Sequence, residues 1–150
     1  MKVYHTYESG RGFDYNNLDY DRGVFATTPW WLGKPGYEKY SVWEPNEFGD
    51  KVVELEIDTN VKTYTDGEQI DFIVDNFKGN PAVEAIIDKY DRGNFRQEDW
   101  QKLDKFIGKH LKKKGYTLIH YTDDPMYGNV WVILDKHVIK SMKFGPEKKA

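Results

Sequence analysis

Three kinds of hydrophobic pattern divide this chain. Near the start, Val3-Tyr4-His5-Thr6 and Val24-Phe25-Ala26 are short strand-like runs. Val52-Val53-Glu54-Leu55-Glu56-Ile57 alternates, with Val53, Leu55 and Ile57 on one face and the glutamates on the other, the period-two signature of a strand. From residue 66 the period changes. Ile70, Ile73, Val74 and Phe77 recur at helical spacing behind a capping-box pair, Asp66 and Gln69, and Gly79 closes that helix. Asn80-Pro81 opens a second helix with the stripe Val83, Ile86, Ile87 and Tyr90, closed by Gly93. Asn94 with Gln97 caps a third, whose face is Trp100, Leu103, Phe106, Ile107 and Leu111, ending at Gly115. Strand pattern then returns at Tyr116 to Tyr121, Val130 to Leu134 and His137 to Lys140.

The order strands, helices, strands predicts one α+β domain over 1–150 with a curved or split, mostly antiparallel sheet and a central helical insertion, rather than an alternating doubly wound fold. Two further expectations concern the connections. Glu8 to Arg22 forms a long loop of functional character. Pro35-Gly36 opens a short helix through Tyr40 or Val42, stopped by Pro45 and Gly49. Residues 145–150 are polar and expected to fray.

Composition narrows the chemistry. With no cysteine, the 150-residue chain has no disulfide framework, thiolate zinc site or cysteine nucleophile. A net charge of −3 leaves no basic excess for holding nucleic acid, and Lys112-Lys113-Lys114 reads as the solvated end of a helix. No apolar run is long enough to span a bilayer, and Met1-Lys2-Val3 leads into strand pattern without a signal-peptide core, so a cytoplasmic protein is expected. His110, His120 and His137 lack metal-ligand spacing, so no metal is expected. Aromatic residues make up 16% of the chain, a surplus that suits a large core together with an aromatic-lined groove.

Within that surplus, a few residues allow two readings. His5 fits either a satisfied strand histidine or a ligand-binding one. Tyr37 and Tyr40 lie three apart and suit core packing as well as a stacking role. Trp30 and Trp31 cannot both face the core from one strand, so one of them is a candidate for exposure and recognition. Asp123-Asp124-Pro125 has turn composition as well as paired carboxylates.

Taken in order, these pieces resemble the ADP-ribosyltransferase-like superfamily of diphtheria-type toxins and poly(ADP-ribose) polymerases, and in particular its small phage and mobile-element members. Tyr4-His5-Thr6 is similar to the family's first-strand histidine motif, with Thr6 where glycine is usual. Gly23 to Pro29, followed by Tyr37 and Tyr40, is similar to its second motif. Gly115 to Tyr121, Asp123-Asp124-Pro125 and Val130 to Ile139 are similar to its C-terminal hairpin. The family's catalytic glutamate has no obvious counterpart, since Asp123 or Asp124 stands there one methylene shorter.

The resemblance implies a mono-ADP-ribosyltransferase that cleaves the nicotinamide–ribose bond of NAD through an oxocarbenium-like transition state and modifies a protein or nucleic-acid acceptor. It implies catalytic roles for His5, Asp123 and Asp124, and NAD contacts from His5, Thr6, Phe25, Trp30, Tyr37 and Tyr40. Such a protein would serve as a phage or mobile-element effector against host or defence machinery. The missing glutamate keeps a second reading open, a catalytically degenerate protein on the same fold that holds a nucleotide or blocks a partner. A third class, a small RNA-cleaving toxin, fits the size but not the acidic balance.

Overall fold

The computed structural model describes residues 1–10, 12–44, 49–124 and 127–145, except the side chains of residues 70, 71, 74 and 75. The chain runs β1 (Lys2–Tyr7), β2 (Val24–Thr28), β3 (Lys51–Ile57), β4 (Thr63–Asp66), α1 (Gln69–Asn76), α2 (Pro81–Asp91), α3 (Gln97–Lys113), β5 (Leu118–Asp124), β6 (Gly128–Ile133) and β7 (Ile139–Phe144). Among the described residues, the seven strands form one sheet in the order β4-β5-β6-β2-β1-β3-β7. Every pairing is antiparallel except β4 with β5. The protein is therefore an α+β domain with a mostly antiparallel sheet and its helices grouped in the middle of the chain.

The alternation in β3 buries Val53, Leu55 and Ile57, as the sequence predicts. These side chains join Val3, Val24, Ala26, Leu118 and Ile133 in a core on one face of the sheet. The loop after β1 covers that face, packing Phe13, Tyr15, Leu18 and Tyr20 against it. The opposite face carries the helices. Ile119, Tyr121, Val130 and Val132 meet Phe72, Ile73, Val83, Leu103, Ile107 and Leu111 there. Apolar side chains this size each contribute about 1.5–3 kcal/mol when fully buried, so both faces are needed to hold the sheet.

The helix ends show how local chemistry sets the boundaries. Asn80 caps α2, accepting from the Ala82 and Val83 backbone N–H groups, with Pro81 at the first turn. Elsewhere the caps differ from expectation. Asp66 ends β4 instead of capping α1, whose N-cap is Glu68. The α3 N-cap is Arg96, and Asp99 accepts its backbone N–H at 2.9 Å, displacing the expected Asn94–Gln97 pair. Ile73 and Phe77 of the expected α1 stripe are buried; the side chains of Ile70 and Val74 lie outside the described residues.

The segment between β2 and β3 departs further. Gly36 to Val42 is not a helix. It is a series of turns in which Tyr37 N–H donates to Lys34 O and Tyr40 N–H to Tyr37 O. Gly36, at φ +90°, breaks the right-handed path a helix would need. Pro45, expected to end that helix, is outside the described residues, as are residues 146–150 of the expected frayed tail. The strand expected over His137 to Lys140 is a 3-10 turn, Lys136–Val138, running into β7.

The long loop is tied to α3. Lys105 pairs with Asp19 at 3.4 Å, Lys112 with Asp21 at 3.0 Å, and Arg22 stands 3.8 Å from the buried Asp104. Gly108 makes this approach possible, because a Cβ there would lie 1.8 Å from the Asp21 carbonyl oxygen. Gly108→Ala should therefore lower the unfolding free energy by about 1–3 kcal/mol, as overpacking against backbone does. Urea denaturation checks this; a change within about 0.5 kcal/mol, typical of an unconstrained surface site, would show that the loop does not close on α3.

Candidate functional site

Residues alternate across β1, and that alternation decides which of them meet. Tyr4 and Thr6 point to the helix-bearing face, where Thr6 is paired with Val52 and Tyr4 with Thr27. Val3 and His5 point to the other face, with Val53 opposite His5. The 29–44 segment folds over the β1–β3 part of the helix-bearing face and leaves a cleft of about 360 Å³. Its floor is Tyr4, Thr6, Thr27 and Val52. Trp30, Trp31, Tyr40 and Glu44 form walls from the covering segment, and Tyr127 closes it from the turn between β5 and β6.

The covering segment is held by its own rings. Edge-to-face contacts join Trp30 to Tyr37 at 4.9 Å, Tyr37 to Tyr40 at 5.5 Å and Tyr40 to Trp31 at 5.4 Å. Trp43 anchors its far end on Tyr4 at 6.1 Å. Despite this packing, Trp30 is 46% and Tyr40 55% exposed. Tyr4 donates its hydroxyl to Glu54 at 3.2 Å. Burial, then the adjacent Glu54 charge, pushes the Tyr4 phenol up to about 12, so it remains a neutral donor at ordinary pH.

The sequence-derived candidates fall into three places. Thr6, Trp30 and Tyr40 line the cleft, and Tyr37 buttresses it through Trp30 and Tyr40 without lining it. His5 is on the reverse face, tilted against Phe13 at 5.3 Å. Its Nδ1–H donates to the Phe25 carbonyl at 2.6 Å, leaving Nε2 unprotonated in the neutral ring. Burial lowers its pKa below 6.5, with the Phe25 bond opposing that shift. The Phe25 side chain lies under α3 beside Arg22, Gln69, Asp104 and Tyr121, away from the cleft lining.

Asp123 and Asp124 end β5 and do not line the cleft. Asp123 N–H donates to Gly67 O at 2.9 Å, and Asp124 Oδ1 accepts from Tyr127 N–H at 2.9 Å. Pro125, the third residue of that motif, is outside the described residues. Asp124 is thus tied to the cleft wall through the Tyr127 backbone.

Sequence reading missed Tyr4, Thr27, Glu44, Val52 and Tyr127 as lining residues. The i, i+2 relation of Tyr4 and Thr6 on a strand was the available signal for the floor. It also missed a buried polar group under α3. Asp104 sits four residues after Trp100 and seven before Leu111, within the apolar stripe, and burial raises its carboxyl to about 6. The Gln69 amide donates to it at 2.5 Å and opposes that shift, as does the nearby Arg22.

Among the described residues no group of three or more His, Cys, Asp or Glu is placed to hold a metal ion, and no helix is long and apolar enough to cross a membrane. No protein-family model matches the sequence, and no curated protein matches it. The chain is similar to a solved structure described as the crystal structure of an anti-CRISPR protein, over 96% of this chain and 94% of the other, with 16% identity and a TM-score of 0.41. At that score the likeness assigns neither a fold family nor a function.

The placement of His5 has a pH signature. Its folded-state pKa lies below the unfolded value near 6.5, so its contribution to stability is intact above that pH and is lost as pH falls through the folded value. The stability gap between the natural chain and His5→Gln should narrow as pH drops below 6.5, since only the histidine must be kept neutral. Urea titrations at several pH values read this gap. A gap that widens toward acid would mean that the ring is charged and paired in the fold.

Proposed function

We propose that the protein acts by binding, through the aromatic cleft, rather than by turnover. The observation that supports this reading is the division of the candidate residues. Thr6, Trp30 and Tyr40 gather round one cleft with Trp31, while His5 occupies the opposite sheet face and neither Asp123 nor Asp124 lines the cleft. A histidine behind the sheet cannot hydrogen-bond a ribose held in front of it. Aromatic walls still supply large contact area at low conformational cost, the usual material of a recognition site. This is the partner-blocking or nucleotide-holding alternative that the missing glutamate left open.

An ADP-ribosyltransferase is the second reading, and one observation favours it. Tyr127 belongs to the cleft wall and is bonded through its backbone to Asp124, so the acidic corner adjoins the cleft rim. NAD would then lie across Tyr40 and Trp31 with its nicotinamide ribose toward the β5–β6 turn, and a protein or nucleic-acid acceptor would approach from outside.

Incubation with labelled NAD and lysate separates the two. The binding reading expects no nicotinamide release and no label transfer. It also expects Trp31→Ala to weaken the bound partner by about 2 kcal/mol or more, the loss typical of a central aromatic anchor. Nicotinamide release that disappears in both His5→Ala and Asp123→Ala would overturn it in favour of the enzyme.

A further inference from the structure

We infer that the occupant of the cleft is an arginine side chain presented by a partner protein; this deepens the binding reading above and rests on it. Three observations converge. First, four of the lining residues are aromatic, Trp30, Trp31, Tyr40 and Tyr127, and ring faces attract cations. Two of the chain's own lysines already show that preference nearby, with Lys34 Nζ 5.6 Å from the Trp30 ring centre and Lys143 Nζ 6.0 Å from that of Trp43.

Second, the one charged side chain among the lining residues is an acid. Glu44 contributes a carboxylate that has no ion-pair or hydrogen-bond partner among the described residues, and no lysine or arginine is among the lining residues. Glu54, on the same sheet face, is already engaged by the Tyr4 hydroxyl and by Lys2 at 3.7 Å. Third, the whole chain carries a net charge of −3, which steers a cationic partner toward it.

A dinucleotide fits this lining poorly. Its pyrophosphate needs cations or a helix N-terminus, and the cleft offers a carboxylate instead. Between the two cationic side chains, the guanidinium is favoured. It is planar, weakly hydrated and able to stack on a ring while its N–H fork meets a carboxylate, whereas an ammonium keeps its water more strongly. The Ser41 and Thr27 hydroxyls lie in the same lining and can accept its remaining N–H groups. The cleft's 360 Å³ suits one long side chain with its flanking backbone.

The test is an NMR titration of the full chain, following the tryptophan indole N–H signals. The probes are the blocked tripeptides Gly-Arg-Gly, Gly-Lys-Gly and Gly-citrulline-Gly, and separately NAD. The arginine peptide should shift Trp30 and Trp31 saturably, with the lysine peptide weaker and the citrulline peptide at least tenfold weaker. Glu44→Gln, an exposed change that leaves the core untouched, should weaken the arginine peptide at least fivefold, and added salt should weaken it too. A lysine or citrulline peptide binding as tightly as the arginine peptide overturns the assignment. So does NAD moving the cleft indoles when the arginine peptide does not, and in that case cleft binding itself survives. If no probe moves either indole, both the arginine assignment and the binding reading fail.

Discussion

Strand β1 has the sheet's central constraint. It lies between β2 and β3, hydrogen-bonded on both sides, so its register cannot slip without moving every side chain to the wrong face. Val3 pins that register by being fully buried in the loop-covered core. Once Val3 faces that core, His5 must follow it and Tyr4 and Thr6 must face the other way. The cleft, its floor and the exclusion of the imidazole from it are three consequences of one alternation.

The two faces are then closed by different means. Helices cover one half of the front face because their stripes match the apolar strands β5 and β6. The other half carries polar Tyr4, Thr6 and Glu54, which a helix stripe would leave unsatisfied. An aromatic turn segment covers it instead and supplies both area and polar tips. On the reverse face the long loop takes the place of a helix layer, and ion pairs from Asp19, Asp21 and Arg22 to α3 fasten its end. That fastening places Gly23, whose φ of +93° starts β2 against Val132.

Much of the architecture was legible because its signals were periodic. The α2 cap, the alternation of β3 and most of the α3 stripe depend on neighbours in sequence and formed as read; Leu103, Ile107 and Leu111 are buried, whereas Phe106, read as part of that stripe, is exposed. Strand β4 was not legible. Thr63 to Asp66 has no apolar alternation and exists because β5 offers a parallel edge far away in the chain. The Tyr37–Tyr40 spacing suited a helix, yet consecutive turns bring residues three apart together just as well. At the site, individual residues were legible as aromatic and polar candidates, but their partition between faces was not. A resemblance in motif order says nothing about which side of a sheet a side chain takes; the buried neighbour two residues away does. Glu44 and Tyr127 reach the cleft through tertiary folding alone, and no local pattern marks them.

The division of the sheet into two faces depends most directly on where the residue-5 ring points. A nuclear Overhauser experiment on the full chain should connect the His5 imidazole protons to the Phe13 ring and to none of Trp30, Trp31 or Tyr40. Cross-peaks from His5 to any of those three cleft rings, without one to Phe13, would contradict the division of the sheet from which the cleft and its occupant are argued.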